Sequence, residues 1–249
     1  MATIATLSDA LDTAAKFFRV MEREGVERSH YQHPIDSRTA RRNLADFLKK
    51  GCSDIQVVGE FVPDLVSLLT SQQLFYRCFF GLELDFSSVR IPEGRSGFTR
   101  LLVIAQGLTP NRVYEVCQQN FPCWRYTDDL DVAINWDKEE RNPKDGPYAI
   151  WVRDTVEADE ELKNLSANQI QERGLTTETL TERLSHELVH WHETKEHLDI
   201  HTITNCTGSR YQGGDVPSVD WHRHNGEVSI SDCLLDTSSG GLRSREVVS

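Results

Sequence analysis

Three residues of this chain have the type and spacing of a catalytic metal site: His186, Glu187 and His190, in the string LSHELVHWHE at 184–193. Two histidines four apart on a helix bring both imidazoles to one ion, and the glutamate after the first can then activate a water molecule. The chemistry would be that of a zinc-dependent hydrolase or peptidase. His186 and His190 would be the metal ligands, Glu187 the catalytic base and zinc the cofactor. The motif has only three fixed letters and the chain has nine histidines, so chance alone writes it into roughly a few per cent of such sequences.

The helix that must carry these residues argues against that chemistry. At about 100° per residue, Leu180, Leu184, Leu188 and Trp191 fall within one arc and predict the buried stripe. His186 and His190 lie about 120–160° from its centre, beside Arg183 and Glu193, on a face expected to meet water. His192 stands where a zinc-protease helix has an apolar residue, and Arg183 where it has an uncharged one. Longer versions of the motif continue with glycine and a third histidine, where this chain has Glu193 and Glu196, His197 being one place late. A further ligand from His201, Asp215, His222, His224 or Glu227 stays open at this point.

Other strings carry less. LLDTSSG at 234–240 resembles an aspartic-protease signature, but Ser238 replaces the glycine of the active-site loop, so it reads as a polar hairpin turn. DTVEADEE at 154–161 lacks the glycine and the ligand spacing of a calcium loop. It reads instead as a helix start, with Asp154 or Thr155 as cap and Glu157, Asp159 and Glu160 against the positive helix end. Arg38, Arg41, Arg42, Lys49 and Lys50 form the one basic concentration, with no aromatic residue interleaved. The net charge of -12, from 27 basic and 39 acidic residues, repels phosphate backbones and anionic lipid. Neither nucleic acid nor a membrane is therefore the expected partner.

The elements that position these residues follow from periodicity and caps. Helices are expected at 7–21, at 37–51 and after Pro63, which makes 1–85 a helical N-terminal region. From 86 the pattern changes. A buried strand is expected at 101–105, a helix after the cap Thr109 with Pro110 in its first turn, and a second strand at 148–153. Helices are expected from about 158 and over 178–195, then strand-like pieces separated by turns from 200 to the end. The fold class is α+β: a helical region, then a mixed α+β domain at 86–249 closing in an antiparallel β-meander. Six cysteines without a CxxC pair, no basic and apolar leader, and no long apolar run lead to the expectation of a soluble cytoplasmic protein with reduced thiols.

Four strings, 97–117, 148–167, 206–219 and 242–249, together resemble a family of uncharacterised proteins from uncultivated bacteria, over about residues 86–249. The resemblance implies a bacterial origin and brings no activity, cofactor or catalytic residue. In that family the helix before the CTGSRY string is often of a Leu/Tyr/Lys type, which implies that His186 and His190 are a local variation on an exposed face. The expected function is therefore that of a binding or interaction module without catalytic activity or cofactor, and its partner, a protein being one candidate, is left open. Trp221, His222, Arg223 and His224, near an expected turn, are the candidate contact surface. The zinc hydrolase is the alternative.

Overall fold

The computed structural model describes residues 65–249. The helices expected at 7–21 and 37–51, with the basic cluster Arg38, Arg41, Arg42, Lys49 and Lys50, lie outside the described residues. The described residues belong to one compact unit of α+β class. It opens with helix α1, Leu65–Phe80. α1, grouped by sequence with the N-terminal region, packs against strand β1, Arg100–Ile104. Its buried Tyr76 donates its hydroxyl to the Val103 carbonyl (2.8 Å) and accepts from the Ala105 N–H (3.0 Å), while Gln72 accepts from the Val103 N–H (3.1 Å). A strand edge buried by a helix would otherwise leave these backbone groups unpaired, so the two side chains complete the ladder.

β1 pairs antiparallel with β3, Tyr148–Val152. Both are apolar runs buried on both faces, which is why neither alternates in polarity. Helix α2, Pro110–Asn120, starts at the expected cap, Thr109, with proline in its first turn. The second sheet has the order β2-β6-β5-β4-β7, from Cys123–Arg125, Glu227–Cys233, Val216–His222, Ile203–Asn205 and Leu242–Arg243. Strands β4, β5 and β6 form the antiparallel meander. The last strand-like piece departs from that pattern. β7 joins β4 in parallel, and the chain then leaves the sheet. It runs between residues 176–178 and the edge of β3, bridging Thr177 to Glu246 and Trp151 to Val248.

The helix expected from 158 begins later. Asp154 is engaged by Arg100 and Asp159 by Arg153, while Thr155 donates to the Glu157 carbonyl, so neither Asp154 nor Thr155 caps a helix. One 3₁₀ turn forms at Glu160–Leu162. The α-helix α4, Ala167–Glu172, starts only where Ser166 and Gln169 close a capping box. α3 is the short turn Leu130–Ala133. The central element is α5, Leu180–Thr194, begun by a second capping box between Thr179 and Glu182 and ended at Lys195, whose φ is +62°. It packs against α2, β1 and β5.

Candidate functional site

α5 is not a surface helix with one wet face. Leu180, Leu184 and Leu188 form the predicted apolar stripe and are fully buried. Arg183, His186 and Glu187 are also 0 % exposed, and His190 retains only 7 %. The expectation that His186 and His190 face water is therefore overturned. The wheel treats polar residues as solvent-facing, whereas here other segments cover them with groups of matching charge.

Asp199 is the centre of that cover. It accepts from Arg183 Nε (2.9 Å) and from an Arg245 terminal nitrogen (2.6 Å), and also from the hydroxyls of Thr202 and Thr204. Its backbone is in the left-handed region, at φ +54°, which Asp tolerates better than most residues. Its own N–H donates to the Val156 carbonyl, and its carbonyl accepts from Trp221 N–H. Arg245 spends its remaining donors on Thr204 and on the carbonyls of Thr155 and Val156. Burial alone would raise the pKa of Asp199, but Arg245 and Arg183 outweigh it and hold the carboxyl below its ordinary value.

Glu187, the base of the zinc reading, is held in the same network. One of its oxygens accepts from Arg183 (2.8 Å), and the other from His197 Nδ1 (2.8 Å) and, at 3.4 Å, the Leu198 N–H. Burial would raise its pKa, and Arg183 and His197 more than reverse that. A base acting on metal-bound water needs an oxygen free to reach it, and both oxygens of Glu187 are committed elsewhere.

The histidines differ from Glu187. His186 Nδ1 meets Glu178 Oε1 at 2.8 Å, but His186 Nε2, His190 Nε2 and Glu178 Oε2 are buried without a partner. Such a group costs about 1–3 kcal/mol when unpaired. Burial pushes Glu178 up to about 8 in spite of Arg245 and Arg183. Burial, aided by Arg245, Arg100 and Arg183, holds His186 well below its usual range. Both shifts favour the uncharged forms at neutral pH. Among the described residues, no cluster of three or more His, Cys, Asp or Glu side chains is arranged to hold a metal ion. Burial also pushes the thiols of Cys117 and Cys206 well up, away from a nucleophilic thiolate.

A second region is open. A cleft of about 330 Å³ lies between the turn Trp136–Lys138, α4 and the loop 207–210. Ala167, Ile170 and Leu175 give it an apolar lining, to which Thr207 adds a polar one, and Lys138 and Arg210 bring positive charge. The loop is placed by Gly208. A Cβ there would meet the Thr177 carbonyl oxygen at 2.6 Å, so only glycine lets the two backbones approach. Ser209 Oγ accepts the Leu180 N–H at 2.8 Å, which ties the same loop to the start of α5. Arg210 donates through one terminal nitrogen to the carbonyls of Thr207 and Ser209. Its Nε and other terminal nitrogen hold no hydrogen bond among the described residues. Neither it nor Lys138 has a carboxylate within ion-pair distance there. Glu140, also at the cleft, is drawn to Arg141 at 3.2 Å.

The four contact-surface residues separate. Trp221 is half-buried and stacks on His197 with centroids 3.7 Å apart and rings 5° from parallel. That makes it part of the packing around Glu187. His222, Arg223 and His224 are exposed at the β5–β6 turn, with Arg223 3.3 Å from His201 Nδ1. Sequence reasoning passed over Glu178, Asp199, Arg245, Lys138 and Arg210. The signals within reach were the T-x-x-E capping box at 179–182 and the glycine of CTGSR, which mark where α5 begins and where backbones touch. Comparison with protein-family models, curated proteins and solved structures gave no match to this chain.

Proposed function

We propose that this protein is a binding module of the bacterial cytoplasm without hydrolytic activity, and that it takes a small organic anion, a carboxylate or a phosphate ester with a short apolar tail, into the cleft beside Arg210. The bacterial and cytoplasmic parts of this reading rest on the sequence resemblance and on the cysteine pattern. The observation that carries the binding part is the pair of cations, Lys138 and Arg210, that hold no ion pair among the described residues and stand over a lining that is apolar at Ala167, Ile170 and Leu175. In a chain of net charge -12, two bases at one concavity with no carboxylate within ion-pair distance among the described residues stand out. A cleft of about 330 Å³ falls at the small end of ligand sites, which run from roughly 300 to 1,000 Å³. A guanidinium with two donor groups unspent suits the forked geometry of a carboxylate or phosphate. Burial lowers the pKa of Arg210, with Glu140 and Glu139 opposing. An incoming anion would relieve that cost of desolvation.

The hydrolase is disfavoured on geometry, because Glu187 is locked by Arg183 and His197. The test is calorimetric titration of the full chain with hexanoate and with phenyl phosphate, repeated on Arg210→Ala. Binding of at least one probe, reduced at least tenfold in the variant at unchanged melting temperature, supports the reading. Absence of binding by both, or equal binding by the variant, overturns it.

A further inference from the structure

We propose that His186 and His190 bind one divalent transition-metal ion of the zinc or copper type through their Nε2 atoms, with Glu178 orienting the His186 ring from behind. This site is separate from the anion cleft and does not depend on it. Three observations converge on it. The two histidines are four apart on one regular helix, α5, so their rings project from the same side. Both Nε2 atoms are buried and unpartnered, in residues that are 0 % and 7 % exposed. The opposite nitrogen of His186 is already fixed by Glu178 at 2.8 Å. A bound ion would select the tautomer in which Nδ1 donates to Glu178 Oε1 and Nε2 carries the lone pair, which is the usual arrangement behind a histidine that ligates a metal.

The remaining coordination positions belong to water or a small anion, since no third side chain stands at ligand distance among the described residues. Three cations and two carboxylates act on the pair. Arg100, Arg183 and Arg245 act on the rings, as do the carboxylates of Asp154 and Glu187, while Glu178 holds His186 directly. Asp154 lies within electrostatic reach of both rings and is held by Arg100 at 2.8 Å. An ion at this position brings its own positive charge to neutral ligands. Imidazole donors without thiolate suit zinc, nickel and copper(II), with copper(II) the tightest by the general order of divalent affinities. Because Glu187 faces Arg183 and His197, the site holds a metal without supplying a base to it. The string HELVH therefore keeps its two ligands and loses its hydrolytic chemistry.

The experiment is a zinc titration of the untagged full chain followed by nitrogen-15 imidazole spectra. The Nε2 resonances of two buried rings should move together and saturate at one ion per chain. Shifts confined to exposed histidines such as His201, His222 and His224, or no shift at all, overturn the proposal, and the unmutated protein suffices for that decision. Equilibrium dialysis of His186→Ala and His190→Ala should show loss of the stoichiometric ion, while His192→Ala on the same helix keeps it. Glu178→Gln should weaken binding about 10–100-fold, the usual effect of losing an outer carboxylate partner. Retention of one ion by both histidine variants would also overturn the assignment.

Discussion

Two charged regions meet at the loop 206–210, and they use charge in opposite ways. Beneath α5, Arg183, Arg245, Asp199 and Glu187 are almost wholly excluded from water, and each is paired with an opposite charge. At the cleft, Lys138 and Arg210 keep contact with solvent and have no carboxylate at ion-pair distance among the described residues. The first arrangement fixes the C-terminal segment and the 199–204 turn onto a helix. The second leaves interaction energy unspent. Glu187, which would mark catalysis, is here consumed by folding, and the cations open to an anion come from two stretches with no catalytic motif. A buried ion pair is poor evidence for net stability compared with an apolar replacement, but removing one partner is costly.

That contrast can be broken most severely at its centre. Asp199→Ala leaves Arg183 and Arg245 buried without their shared counter-charge, and a loss of about 3–5 kcal/mol or more is expected in urea denaturation. A loss below about 1 kcal/mol would mean that the two arginines find water easily and that the network is not what holds the tail. Next comes the shared loop. Gly208→Ala forces a Cβ against the Thr177 carbonyl, and a cost of about 1–3 kcal/mol is expected from the resulting shift. The same variant should weaken hexanoate or phenyl phosphate binding, since the loop carries Thr207 and Arg210; unchanged binding would separate the two regions.

A separate effect is expected from pH. Burial pushes Glu139, the neighbour in sequence of the cleft residue Glu140, up to about 8. An unfolded glutamate titrates near 4.3, so between that value and about 8 the folded chain holds a proton that the unfolded chain has lost. The stability contributed is full below the unfolded value and is lost as pH rises through about 8. Glu139→Gln should therefore flatten the fall in stability across that window, measured as melting temperature against pH. An identical slope in the variant would place the titration elsewhere. The smallest effect is at the cleft rim. Lys138→Ala should change stability by no more than about 0.5 kcal/mol while weakening anion binding several-fold. A large loss of stability there would remove the distinction between spent and unspent charge.

Local order was readable where it depends on neighbours in sequence. The strands at 100–104 and 148–152, the Thr109 cap with Pro110, and the apolar stripe of α5 follow from runs, caps and spacing. α4 starts later than the sequence suggests because Asp154, which resembles a cap, and Asp159, which resembles an acid at a helix start, serve instead in ion pairs with Arg100 and Arg153. The candidate site was legible only as two histidines. Their burial was hidden because it depends on Arg245 and Asp199, 46 residues apart in sequence and 2.6 Å apart in space.

The sequence by itself determined an α+β chain with a meander near its end, a helix carrying paired histidines, and an acidic balance set against polyanionic partners. Those properties are sums or periodicities along the chain. Tertiary structure decided which polar residues are dry. It turned Glu187 toward Arg183 and His197, left two imidazole nitrogens unpartnered, and brought Lys138 and Arg210 to one cleft. A wheel or a motif describes one element, whereas burial and charge pairing are properties of what other segments lay against it.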